Sequence, residues 1–178
     1  MYFLPVRQFC FFCLAVLVAA CNANEAESTT KETLENTEVT TPLPATPQMP
    51  AFTMLDAKGQ TIDLQQFAGK KVFVNLWATW CPPCRVEMPS IQKLYQSVDK
   101  EKTAFVMLSL DDDFEKAKQY VANNKLDLPI YYPSGAQPDL FNVRGIPATF
   151  IFDEKGQLIK TTEGSDNYDT DAYRQLLK

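Results

Sequence analysis

The stretch WATWCPPCRVEMP, Trp77 to Pro89, joins a strand-like run to a helix-like one with no linker between them. Upstream, Lys71 to Trp77 (KVFVNLW) is β-branched and aromatic, with the character of a buried strand. Downstream, Ile91, Leu94, Tyr95 and Val98 recur at i, i+3, i+4 and i+7, the spacing of one helical face. Cys81 therefore follows a strand and opens a helix, and Cys84 stands one turn further in. Pro82 falls in the first helical turn, where its missing N–H costs nothing, and Pro83 is tolerated beside it. Pro89 is expected to kink the helix.

The remaining pattern alternates strands and helices from Ala51 onward. AFTMLDAKGQTIDL reads as two short strands around a Lys58-Gly59 turn. Thr103 to Leu110 is another buried strand, and Asp111 to Asp113 supply caps for a helix with Phe114, Ala117 and Val121 on one face. Ala148 to Phe152 is a strand that turns at Asp153 to Gly156 and pairs back through Gln157 to Thr161. A last helix is expected from about Asn167, burying Tyr173, Leu176 and Leu177. The fold class is α/β, a central sheet flanked by helices with an antiparallel edge.

Two cysteines in this setting invite chemistry. A helix start presents unpaired N–H groups and the positive end of the dipole, which favour a thiolate at Cys81. An exposed Cys81 beside a shielded Cys84 would suit disulfide exchange through a mixed disulfide. Zinc is a poor rival, because a structural site takes four ligands and the chain has no histidine and only these two cysteines after Cys21. A purely structural disulfide is the other rival, although so small a loop contributes little chain-entropy stabilisation. Spacing alone decides nothing: Cys10 and Cys13 have the same separation inside an apolar leader.

WCPPC after a hydrophobic strand resembles the thioredoxin superfamily, and the longer FVNLWATWCPPCRVEMPSI is similar to its extracytoplasmic TlpA/ResA-like branch. Glu87, Pro89 and the later RGIPATFIFDEKGQLI fit the same branch. The resemblance implies a thioredoxin fold with an N-terminal β-hairpin and a helix-and-strand insertion within Asp112 to Tyr132. It also implies a cis Ile146–Pro147 bond in a loop beside the nucleophile, where Trp80, Pro82, Ile146 and Pro147 meet an extended substrate peptide. Trp77 is expected in the core. Glu87 has no basic partner at i±3 or i±4; the resemblance implies proton exchange with Cys84 from a partly buried position, the alternative being a solvated glutamate that favours the positive end of the helix. Asn75 stands where cytosolic thioredoxins carry a buried acid; it can hydrogen-bond but cannot titrate.

The N-terminal 50 residues have a different texture. Arg7 precedes an apolar run from Phe9 to Ala20, too short for a bilayer span of about 20 residues and suited to a signal-peptide core. Val18-Ala19-Ala20-Cys21 resembles a bacterial lipobox, so residues 1–20 are expected to be removed and Cys21 lipidated. Residues 21–50 then form a tether rich in Ser, Thr, Glu and Pro, unable to bury enough surface to order itself. Five of the chain's 22 acids lie there, so the formal charge of −5 belongs largely to the tether and nucleic acid is not an expected partner.

These expectations combine into a monomeric thiol–disulfide oxidoreductase, residues 51–178, lipid-anchored on the extracytoplasmic side of a bacterial membrane and periplasmic in a Gram-negative host. Its expected work is reducing disulfides in exported proteins, for example in cytochrome c maturation. Protein thiols and disulfides would be its substrates and a membrane thiol carrier its electron source. No cofactor beyond the redox-active Cys81–Cys84 disulfide, and no metal, is expected. The alternatives are an oxidant or isomerase of folding proteins, a thiol peroxidase, or a Cu(I)-binding protein. Peroxiredoxins place Thr or Ser three residues before the reactive cysteine, where this chain has Ala78. Copper chaperones of this fold use a longer cysteine spacing and a histidine.

Overall fold

The computed structural model describes residues 46–178. The expected signal peptide 1–20, the expected lipidation site Cys21 and most of the expected tether lie outside them. Ten elements follow the expected alternation: β1 Thr53–Asp56, β2 Thr61–Asp63, β3 Lys71–Trp77, α1 Pro82–Ser97, β4 Thr103–Ser109, α2 Phe114–Asn123, β5 Ile130–Pro133, β6 Ala148–Phe152, β7 Leu158–Glu163 and α3 Asp171–Leu176. The strands make one seven-stranded sheet in the order β2-β1-β5-β4-β3-β6-β7. β3–β4 and β4–β5 pair parallel, while β3–β6, β6–β7, β1–β2 and β1–β5 pair antiparallel. This is the mixed sheet of a thioredoxin fold. The insertion is α2 with β5, and β5 joins the N-terminal hairpin to the central strands.

The pleat of β3 determines where chemistry can sit. Successive side chains of a strand face opposite ways. Val72, Val74 and Leu76 enter one core layer, with Phe52, Leu64, Val106, Phe141 and Phe150. Phe73 and Trp77 enter the other, with Met88, Ile91 and Leu94 of α1. Both layers exclude water, which is why β3 and β4 read as mostly apolar runs rather than as alternating ones. Asn75 shares the face of Phe73 and Trp77, so this polar side chain points at the layer that α1 covers.

Three local features differ from the sequence-based expectation. The ordered edge begins before Ala51, since Met49 N donates to Gly156 O (2.7 Å), Leu158 N donates to Pro47 O (2.8 Å) and the Met49 side chain is buried. The final helix starts at Asp171 rather than near Asn167, because the oxygen that caps it belongs to Thr170. Asp113 alone caps α2, accepting from Glu115 N (2.9 Å), and Asp111 is occupied elsewhere.

Candidate active site

Cys81 is the N-cap residue of α1, with Pro82 and Pro83 at the first two helical positions. Its sulfur accepts a hydrogen bond from Cys84 N (3.2 Å), so one otherwise orphaned amide of the helix start is directed at it. Cys81 and Cys84 are joined by a disulfide (S–S 2.04 Å, Cα–Cα 5.3 Å). Cys81 is less open than the expectation of an exposed thiol: it is 3 % exposed, against 0 % for Cys84. Both cysteines are buried, Cys81 by a slightly smaller margin.

The sulfur of Cys81 lies 3.6 Å from the carbonyl oxygen of Ile146, and the Ile146–Pro147 bond is cis. In the dithiol form this carbonyl is within reach of the Cys81 S–H. Trp80, 63 % exposed, borders an open groove of about 410 Å³ whose other walls include Leu110, Phe141, Val143 and Ile146. Pro82 and Pro83 are exposed, and Pro147 is buried. Trp77 is fully buried, its ring 5.5 Å from that of Tyr120. A larger cleft, bordered by Ser97, Val98 and Arg174, sits at the C-terminal end of α1. That is a helix length of about 24 Å from Cys81.

Glu87 is buried, at 2 % exposure. Asn75 Nδ2 donates to its Oε1 (2.8 Å), and the backbone N–H of Asp166 donates to its Oε2 (3.2 Å). Burial pushes its pKa from the ordinary 4.5 up to about 7; the bonds from Asn75 and the Asp166 amide oppose the rise, and the Asp166 charge adds to it. A carboxyl that titrates near neutrality can take or give a proton at physiological pH. Asn75 Nδ2 also donates to Thr149 Oγ1 (2.9 Å), which lies 2.7 Å from Tyr168 Oη. Asn75 Oδ1 has no partner among the described residues.

A second buried carboxylate holds the loop that leads to the cysteines. Asp111 accepts from Thr79 N (3.1 and 3.2 Å), Thr79 Oγ1 (2.6 Å) and Ser109 Oγ (2.9 Å). Thr79 immediately precedes Trp80, so Asp111 fixes the strand-to-helix junction from the end of the neighbouring strand. Sequence reasoning gave Asp111 to a helix cap and did not single out Thr149, Asp166 or Tyr168. The available signal was weak: Asp111 directly follows a fully buried strand, whereas capping residues stand in solvent.

A disulfide at a helix start, with the Ile146 carbonyl 3.6 Å from the Cys81 sulfur and a groove bordered by the adjacent Trp80, has the make-up of a redox pair. It defines a thiol–disulfide oxidoreductase of thioredoxin fold. The comparisons with known proteins agree. A family profile described as Redoxin matches residues 44–177, and the chain belongs to that family within the thioredoxin superfamily. It is 30 % identical over 129 residues to thiol-disulfide oxidoreductase ResA of Halalkalibacterium halodurans, covering 71 % of this chain and 73 % of that protein. It is 38 % identical over 112 residues to thioredoxin-like protein YneN of Bacillus subtilis, covering 61 % of this chain and 65 % of that one. The crystal structure of StoA from Bacillus subtilis superposes with a TM-score of 0.60 at 26 % identity, over 73 % of this chain and 98 % of StoA.

Proposed function

We propose that this oxidoreductase is a reductase of disulfides in exported proteins, cytochrome c maturation being one setting, and that Cys21 tethers it by lipid to the outer side of a bacterial membrane. The observation that carries the reading is the placement of Cys81 Sγ, at the start of α1 and 3.6 Å from the Ile146 carbonyl.

In the dithiol form the Cys81 thiolate attacks a substrate disulfide. A new S–S bond joins Cys81 to one substrate sulfur, and the other leaves as a thiolate that takes a proton from solvent. Glu87, one helical turn beyond Cys84, accepts the Cys84 proton. The Cys84 thiolate then attacks Cys81 Sγ, closing the internal disulfide and releasing the second substrate thiolate. Two electrons pass to the substrate, and a membrane thiol carrier restores the Cys81–Cys84 dithiol. Trp80, Pro82, Ile146 and Pro147 form the surface on which the extended substrate lies.

The test is a Cys84→Ser variant, which can attack but cannot resolve. It should accumulate mixed disulfides through Cys81 with exported cysteine proteins, and Cys81→Ser should accumulate none. Trapping that persists in Cys81→Ser would sink the assignment. For the tether, Cys21→Ser should release the chain from the membrane fraction; retention of the variant there contradicts lipid anchoring.

A further inference from the structure

The segment between β7 and α3 is an extended strap rather than a loose loop. Alternate backbone amides from Gly164 to Tyr168 point inward. Gly164 N donates to Pro147 O (2.9 Å), Asp166 N to Glu87 Oε2 (3.2 Å) and Tyr168 N to Ser90 Oγ (3.1 Å), while Ser90 Oγ donates to Glu87 O (2.7 Å). One short stretch thus links the cis-proline loop, the Glu87 carboxyl and the middle of α1. The strap is itself anchored: Tyr173 Oη donates to Asp166 Oδ2 (2.5 Å), and Tyr168 Oη meets Thr149 Oγ1 (2.7 Å).

Asp166 is the one exposed residue of the strap that touches Glu87, and it touches it with opposite consequences. Its amide donates to the carboxyl and favours the ionised form. Its own carboxylate, drawn toward α3 by Tyr173, is a like charge that favours the protonated form. The other groups that act on Glu87 are Asn75 from β3, Tyr168 from the strap and Tyr173 from α3. Burial, with Glu87 adding to it, holds the Tyr168 hydroxyl well above its usual range, and burial with the Asp166 bond pushes Tyr173 up to about 12; neither ionises near neutrality. Among the described residues no Lys or Arg pairs with Glu87.

Resting on the assignment of Glu87 as proton partner of Cys84, we propose that Asp166 is a positioning residue of the site: its amide and its carboxylate together set the pH at which Glu87 changes charge. The arrangement explains a strap with an aspartate at the position whose amide meets a buried carboxyl, where a neutral residue would supply the same amide without the repulsion.

Two variants separate the contributions. Asp166→Asn keeps the amide and an acceptor for Tyr173 but removes the charge. Asp166→Pro removes the amide as well. The full chain is kept in the disulfide form, so that neither cysteine titrates, and the Glu87 side-chain carboxyl is followed by carbon NMR, with Glu87→Gln identifying the signal. The midpoint should fall by about half a pH unit in Asp166→Asn, the size expected for a like charge largely in solvent. It should rise above the Asp166→Asn value in Asp166→Pro. An unchanged midpoint in Asp166→Asn overturns the inference, as does an equal shift in both variants. Disulfide-exchange rates against pH for the same proteins test the underlying assignment separately. A moved NMR midpoint with an unmoved rate profile upholds Asp166 and removes Glu87 from proton transfer.

Discussion

The Asn75 amide nitrogen lies 2.8 Å from Glu87 Oε1, across the interface between the central strand and the helix that starts at Cys81. An asparagine there can donate to a carboxylate, and with its amide turned over its oxygen can accept from a carboxylic acid. The buried Oδ1, unpartnered while Nδ2 faces Glu87, is the group that the second arrangement would use. A neutral, two-sided partner can keep a hydrogen bond to Glu87 in either protonation state.

Replacing Asn75 with aspartate tests this. Asn75→Asp sets a second carboxyl against Glu87, and two adjacent carboxyls resist joint ionisation, so one proton is held to higher pH. The pH profile for resolution of the mixed disulfide should move upward by about one unit. A profile unchanged from the parent protein would mean that Glu87 takes no part in that step.

Glu87 also makes stability depend on pH. Its pKa rises from 4.5 unfolded to about 7 folded, so the folded state binds the proton more tightly. That contribution is complete below pH 4.5 and is lost as pH rises through 7, a change of about 3 kcal/mol. In Glu87→Gln the contribution is absent. Denaturant unfolding from pH 4 to pH 8 should therefore show the variant gaining on the parent protein by about 3 kcal/mol as pH rises. Parallel curves would mean that the carboxyl is not held protonated by the fold.

Much of this is legible in the sequence. The apolar run of β3, the helical spacing after Cys84 and the turn at Asp153–Gly156 each follow from local chemistry, and each stands where expected. The Asn75–Glu87 pair was half legible. Both residues stood out, but their meeting depends on which face of β3 the helix covers, and every neighbour of Asn75 on that strand is apolar. The strap carries Asn167 and Asp169, residue types that also cap helices, so local chemistry does not separate it from the helix start expected near Asn167. In the structure Asn167 Oδ1 accepts from Asp169 N (3.1 Å) in a local turn, and the helix waits for Thr170. Hydrogen bonds from an extended segment to distant side chains leave no periodicity to read.

Asp111 supplies a prediction about the junction itself. Asp111→Ala leaves the Thr79 amide and the Ser109 hydroxyl without their acceptor in a buried place, at a cost of about 1–3 kcal/mol. Because Thr79 leads into Trp80, the loss should also loosen the site. Trp80 is the exposed tryptophan of the two, and its fluorescence should show faster quenching by added iodide. Lost stability with unchanged quenching would confine Asp111 to the fold.

The most direct test of the account is the reduction potential of the Cys81–Cys84 couple, by equilibration with dithiothreitol or glutathione. The account predicts a reversible two-electron couple near the reducing end of the superfamily's range, about −270 mV. A value near −120 mV would make the protein an oxidant of its partners and contradict the proposed direction. The absence of any reversible couple would contradict dithiol exchange at this site altogether.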